Sequence, residues 1–275
     1  MAASRFAGNL RKMIARHESP VQYDMVLGEQ RVAMNELIGT PIQLSYLGEI
    51  NCIHCGRKTR KSFSQGYCFP CMRSLAECDS CIVKPETCHF EAGTCRDPEW
   101  AQGHCFQDHY VYLANSSGIK VGITRGTQIP TRWLDQGATQ ALPIFRVQSR
   151  YIAGLVEVEL KQHVSDRTDW RKMLKGMNEP VDLAQQRRRL MDACQNALAR
   201  LGEHFGAAAI VPLEEQAVTI DYPVLRYPDK VTSFNFDKQA LVEGTLEGIK
   251  GQYLIFDRGV INIRKFGGYQ VELSH

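Results

Sequence analysis

The sequence predicts an α+β chain: a cysteine-rich metal module, an α/β segment after it, and β-rich ends able to pair into one small barrel or sandwich. Three observations carry this. Nine of the ten cysteines fall between Cys52 and Cys105. Both ends alternate apolar and polar residues with period two, as half-buried strands do. The stretch between the metal module and the C-terminal strands carries helical periodicity near 3.6. The expected parts are 1–50 (β-rich), 51–108 (metal module), 109–205 (α/β, ending in a helix) and 206–275 (β-rich).

Composition narrows the class. Of 275 residues, 44% are hydrophobic and 23% charged, as in ordinary globular chains. No apolar run approaches the roughly 18 residues a membrane helix needs. Met1 to Arg16 mixes Arg5, Arg11, Lys12 and Arg16 with scattered apolar residues, unlike a secretory signal. A cytoplasmic protein with no membrane partner is therefore expected. Clustered Cys-x-x-Cys pairs in such a chain favour metal ligation over disulfides. The remaining Cys194 lies in a helical pattern and is expected to be a buried apolar residue.

Net charge is only +3, but it is segregated. From Asn51 to Ala76 there are five basic residues and no acidic one. From Glu77 to His109 seven acidic residues face two basic, and from Tyr110 to Arg150 five basic face one acidic. Such a pattern gives either solvated faces or two patches that meet phosphate.

Taken in order, Val21 to Leu27 alternates as a strand, Gly28-Glu29 reads as a hairpin turn, and Arg31 to Met34 resumes the strand. Ile42 to Leu47 is another. Tyr253 to Phe256, a turn at Asp257 to Gly259, Val260 to Ile263 and Gly268 to Leu273 give the C-terminal end the same texture. Gly8-Asn9-Leu10 resembles Gly244-Thr245-Leu246, and Gly39 to Leu44 resembles Gly268 to Leu273, which suggests an internal duplication. Val181 to His204 is the clearest helix, with Gly202 expected to stop it. Tyr222 to Asp237 carries two prolines and reads as linker.

Cys52-x2-Cys55, twelve residues, then Cys68-x2-Cys71 is the spacing of a zinc ribbon. Two knuckles let four thiolates close tetrahedrally on one ion, roughly 2.3 Å from each sulfur. Such a site has no open position for catalysis and is expected to staple the module. Gly56 and Gly66 suit the tight turns beside each pair.

Cys78, Cys81, Cys88 and Cys95 are the first choice of ligands for a second zinc. Cys105, His89 or His104 stands as a replacement. An all-cysteine iron–sulfur cluster, a redox or metal sensor, and a cross-braced arrangement in which Cys52 and Cys55 share an ion with Cys78 and Cys81 all remain open.

After the module, His109 to Ala114 reads as a strand, Asn115-Ser-Ser-Gly118 as a turn and Ile119 to Arg125 as a strand. Arg132 to Ala138 opens a short helix, and Ala153 to His163 is amphipathic with Glu157 and Glu159. This order, with Val-Tyr-Leu, then Lys-Val-Gly-Ile-Thr, then arginine, then a glutamate-bearing helix, resembles the GIY-YIG nuclease superfamily over residues 109–170. The whole chain resembles the uncharacterised bacterial family domain of unknown function 2797, through Gly-Tyr-Cys-Phe-Pro-Cys, Lys-Val-Gly-Ile-Thr-Arg and Gly-Ile-Lys-Gly-Gln-Tyr-Leu. That second likeness supplies no function.

The nuclease likeness implies that Tyr112 helps activate the attacking water and that Gly122 is the glycine of the second motif. Arg132 would stabilise phosphate charge. Glu157 would hold magnesium or manganese, with Glu159 second by register. Val121 stands where these nucleases usually have a second tyrosine, and Gln136 near where many have histidine.

Three functions follow as expectations. The first is nucleic-acid binding, DNA or RNA, through Arg57, Lys58, Arg60, Lys61, Lys120 and Arg125, with Phe63, Tyr67 and Phe69 available for base stacking or for packing the ribbon. The second is metal-dependent phosphodiester hydrolysis using Tyr112, Arg132 and Glu157. The third is a metal-stabilised interaction scaffold.

Overall fold

A computed structural model describes residues 4–177 and 179–275. Strands β1 (Arg5–Asn9), β2 (Ile14–Arg16), β3 (Gln22–Leu27), β4 (Gln30–Ala33) and β5 (Pro41–Asn51) build the N-terminal part. Gly28, at φ +60°, makes the β3–β4 turn that its sequence predicts. Then come β6 (Lys58–Thr59), α1 (Phe69–Ser74) and α2 (Pro98–His104), joined by short 3-10 turns.

The central part runs β7 (His109–Asn115), β8 (Ile119–Arg125), α3 (Thr131–Asp135), β9 (Gln140–Val147), α4 (Arg150–Leu160), α5 (Trp170–Leu174), α6 (Leu183–Phe205), β10 (Ile210–Pro212) and β11 (Val218–Thr219). The four C-terminal strands are β12 (Leu241–Lys250), β13 (Tyr253–Phe256), β14 (Gly259–Asn262) and β15 (Tyr269–Ser274). Helix α6 runs through Gly202 and ends at Gly206, at φ +94°, so the expected stop lies four residues early. Among the described residues no helix is long and apolar enough to cross a membrane.

The two ends do pair. Their seven-stranded sheet has the order β1-β15-β5-β12-β13-β14, with β6 on β5. It stays open: no sheet among the described residues closes into a barrel, which corrects that expectation. Among the described residues, the outer edge of β14 meets only an isolated bridge to Ser233, and the path beyond β1 passes to the separate sheet β2-β3-β4 through one bridge, Leu10 to Leu27. Both sheets share one core, in which Met25 and Val32 join Leu44, Leu246 and Val271.

The pairing has two-fold logic. Leu10 N–H donates to Tyr269 O (2.8 Å) and Gly268 N–H to Leu10 O (2.8 Å). Correspondingly, Leu246 N–H donates to Thr40 O (3.0 Å) and Gly39 N–H to Leu246 O (2.7 Å). Gly39 and Gly268 share φ near +86° and +87°. Hairpin β3–β4, a 3-10 turn and β5 match hairpin β13–β14, a 3-10 turn and β15 in order. The resembling segments found in the sequence thus occupy equivalent places, and each half lends its last strand to the other. β1 leans on β15, and β12 on β5.

The central sheet has the order β10-β9-β7-β8, with β11 also on β9. β7 is buried on both faces. Tyr112 and Ala114 join the terminal core, while Val111 and Leu113 pack with Ile152 and Val156 of α4 and Leu190 of α6. This places the β7–β8 hairpin between the terminal sheets and α4.

Candidate metal centre and cationic cavity

β5 delivers Cys52 at its end. Gly56, at φ +70°, turns the chain back, with Gly56 N–H donating to Cys52 O (2.9 Å). Cys68 and Cys71 arrive at the start of α1. The four sulfurs lie within 4.8 Å of one another, and all but Cys55 are buried. Burial opposes ionisation of Cys52, but N–H groups around Cys55, Cys68 and His54 outweigh it and bring that thiol down to about 6. A convergent set of four thiols, one already favouring thiolate, fits a single ion.

Arg57, Lys58, Arg60 and Lys61 are exposed on the ribbon loop. Lys58 pairs with Glu49 at 2.7 Å, and Lys61 sits 5.4 Å from the Phe63 ring. Phe63 packs on Phe69 with ring centroids 5.5 Å apart, so both rings already have a partner.

The second cysteine group divides. Cys81, Cys88, Cys95 and Cys105 line one small cavity, whereas Cys78 lines a different and larger one. Ligand atoms of Asp79, Cys81 and His89 also lie within 4.8 Å of one another. There Asp79 is engaged by Arg96 Nε at 2.8 Å, with His89 Nε2 at 3.5 Å.

The larger cavity, about 630 Å³, contains Tyr112, Arg132 and Glu157 together, brought in by β7, α3 and α4. Tyr112 lies opposite Gly122 in the hairpin. A Cβ on residue 122 would meet the tyrosine hydroxyl at 2.7 Å, so only glycine leaves room for the ring. Tyr112 is fully buried, and its hydroxyl donates to Gln136 Oε1 (3.1 Å). Lys120 Nζ donates to the same oxygen (2.6 Å). Burial raises the Tyr112 pKa, with Arg132 opposing. Burial, then the charge of Arg132, pull Lys120 down to about 8.

Helix α4 begins at a cap its sequence supplies, Ser149 Oγ accepting from Ile152 N–H at 3.2 Å. Its faces then separate the two glutamates: Glu157 meets the cavity, while Glu159 lies off it. Burial raises the Glu157 pKa. Arg125 contacts His104 Nδ1 at 2.9 Å. Arg150, also in the cavity wall, donates from its guanidinium to Ile82 O.

Sequence reasoning missed Arg150, Asp166, Asp135, Lys12 and Arg264 as lining residues. Lys12 and Arg264 both lie against Asp135, at 2.9 and 3.9 Å. None has a motif around it, and only the fold brings these distant positions together. The ribbon residues Ser64 and Gln65 form part of the rim at φ +44° and +67°, a conformation costly for non-glycine residues. Taken together, the cavity offers cations for an anionic oxygen, carboxylates for a divalent ion and a tyrosine hydroxyl.

A family profile described as "Protein of unknown function (DUF2797)" matches residues 39–271. No curated protein and no solved structure matches the sequence.

Proposed function

The chain belongs to this family, whose description names no function, and from its own cavity we propose that it binds nucleic acid and hydrolyses a phosphodiester there, with a zinc ion stapling the ribbon. One observation carries the proposal: Tyr112, Arg132 and Glu157, chosen from sequence and delivered by three separate elements, line a single cavity beside Lys120, Arg125 and Arg150. Phosphodiester hydrolysis asks for cations where charge develops and a carboxylate for a divalent ion.

In this scheme Arg132 neutralises the developing charge on the phosphate, with Lys120 and Arg125 holding the flanking oxygens. Glu157 and Asp166 are the carboxylates that would hold magnesium or manganese. Such an ion, when bound, supplies Lewis acidity at the phosphate. Tyr112 orients water through its hydroxyl once Gln136 releases it. The exposed cations Arg57, Arg60 and Lys61 contact the strand outside the cavity.

A second reading, binding without cleavage, is favoured by the burial of Tyr112 and the prior engagement of its hydroxyl by Gln136. One experiment separates the two. Purified protein is incubated with plasmid, single-stranded DNA and RNA, with magnesium or manganese, beside Arg132→Ala and Glu157→Gln. Cleavage lost in both variants supports hydrolysis. Salt-sensitive binding without cleavage supports the second reading. Cleavage undiminished in both variants removes these residues from the chemistry, and no binding at low salt removes both readings.

A further inference from the structure

Two cations of the larger cavity come from the terminal sheets: Lys12, between β1 and β2, and Arg264, in the 3-10 turn Ile263–Phe266 after β14. One carboxylate holds both. Asp135 closes α3 with its side chain only 5% exposed, and its Oδ2 meets Lys12 Nζ at 2.9 Å and Arg264 Nη1 at 3.9 Å. Its other oxygen accepts from Gln252 Nε2 at 2.9 Å. Buried Gln252 also accepts from Met13 N–H (2.8 Å) and donates to Met13 O (3.0 Å), which fixes the backbone beside Lys12.

The two-fold relation of the halves sets these two positions apart. Arg264 stands four residues before Gly268, and its counterpart four before Gly39 is Asn35. Asn35 serves the fold: its Oδ1 accepts from Tyr23 N–H (2.8 Å) and its Nδ2 donates to Val21 O (2.9 Å). Lys12 stands two residues after Leu10, and its counterpart two after Leu246 is Gly248. A Cβ there would meet Val224 Cα at 2.6 Å. Each half thus uses for packing the position from which the other sends a cation to the cavity.

One carboxylate does not balance the charge. Arg132 lies three residues before Asp135 on the same helix. Burial lowers the Arg264 pKa; Asp135 opposes this, and Arg132 adds to the lowering, so the two guanidiniums feel one another. Three positive charges stand around a single negative one, and the surplus attracts an anion. Arg264 reaches Asp135 only at 3.9 Å, beyond hydrogen-bond length, so that pairing leaves its N–H donors unspent.

We propose that Lys12 and Arg264, held by Asp135, form a second phosphate subsite that takes the phosphodiester next to the one at Arg132. Resting on the nucleic-acid reading of this cavity, the subsite narrows the substrate to a strand with at least two consecutive phosphodiesters, since a mononucleotide fills only one place. The cavity, about 630 Å³, has the volume of a site that encloses such a ligand's reacting portion.

The test measures binding of the thymidine trinucleotide, which has two phosphodiester linkages, to the full chain at low salt without added divalent ion. Each linkage in turn is replaced by an uncharged methylphosphonate. Neutralising one linkage is expected to weaken binding to the parent about tenfold. Arg264→Gln and Lys12→Gln bind more weakly from the start, and the same neutralisation costs them little further. The other linkage couples instead to Arg132→Ala. Arg264→Gln also makes the log–log salt slope about 0.7 shallower. A purely structural role for Arg264 lowers the urea midpoint and couples to neither linkage. Trinucleotide binding undiminished in Arg264→Gln, full additivity of that change with both neutralised linkages, or no binding by the parent overturns the proposal. Coupling at Arg132 without coupling at Arg264 strikes the second subsite alone and leaves the first reading standing. Coupling at Arg264 without coupling at Arg132 keeps the subsite and strikes the role given to Arg132.

Discussion

Substituting Gly122 by alanine forces one atom against the ring on which the cavity is built. The added Cβ would lie 2.7 Å from Tyr112 Oη, 2.8 Å from Cζ and 3.2 Å from Cε2. The backbone itself tolerates alanine, since Gly122 is not among the positive-φ glycines. That tolerance returns about 0.4–1 kcal/mol by restricting the unfolded chain. Against it stands overpacking of a fully buried ring, about 1–3 kcal/mol. Loss of the Tyr112–Gln136 hydrogen bond adds about 1 kcal/mol. Disturbing the edge-on contact of Tyr112 with Trp133 adds about 0.5–1.5 kcal/mol. The net expectation is destabilisation by about 3 kcal/mol, within limits of about 1.5 and 5, read from urea midpoints at unchanged slope. Tyr112→Phe alone costs about 1 kcal/mol. In the Gly122→Ala background it costs nothing or stabilises, because the closest clash leaves with the hydroxyl. Gly122→Ala within 0.5 kcal/mol of the parent, or strict additivity of the two changes, would refute the packing argument.

Other outcomes follow from single contacts. Lys120 titrates near 8 when folded against 10.5 ordinarily, so the unfolded chain holds the proton more tightly and stability rises with pH between those values. Lys120→Met is expected to stabilise by about 2 kcal/mol at pH 7, from about 3 for the shift less about 1 for the Gln136 bond, with the gain gone by pH 10.5. Urea midpoints across that range check it. Asn9→Ala loses a bond to Asn51 Oδ1 (2.8 Å) within the first half and one to Gly268 O (2.9 Å) that ties it to the second, and a loss of about 1–3 kcal/mol should appear in denaturation. Cys68→Ser should lose the zinc proposed for the ribbon, by metal analysis, and unfold the ribbon, while the parent does the same under chelator. Changing Arg57, Arg60 and Lys61 to alanine should make the log–log salt slope of single-strand binding about 2 shallower. Adding Lys58→Ala should change it less, because Lys58 is paired with Glu49.

Local signals in the sequence were enough for the hairpins. Strand β8 spans the predicted Ile119–Arg125, because its alternation is clean and the turn before it is marked by Ser-Ser-Gly. Strand β9 gave no such signal because Pro143 interrupts it. Proline is tolerated there because the ladder to β7 shifts register between Val111 and Tyr112, where Tyr112 faces Pro143. The ribbon ligands were legible from spacing, since a knuckle is a local structure. In the second group spacing alone does not choose the ligands: Cys78 and Cys81 are three residues apart in sequence yet line different cavities. Tyr112, Arg132 and Glu157 were found through a resemblance. Arg150, Asp166 and Arg264 join them only through tertiary packing, which leaves no periodic trace.

The exchange of final strands has a consequence for synthesis. β5 has β15 on one edge and β12 on the other, β6 touching only its end, so both long neighbours come from the last eighth or so of the chain. Asn9 waits 259 residues for its contact with Gly268. At about 5–20 residues per second, β1 and β5 emerge from the ribosome and stay without their C-terminal partners for roughly 13–50 seconds, while β2, β3 and β4 pair among themselves. Over that interval both edges of β5 stand open, with Ile42 and Leu44 uncovered, while the β7–β8 hairpin and its helices close locally. The nascent chain is therefore a client for holding chaperones at its front end, and slower translation of the middle segment lengthens its exposure to aggregation.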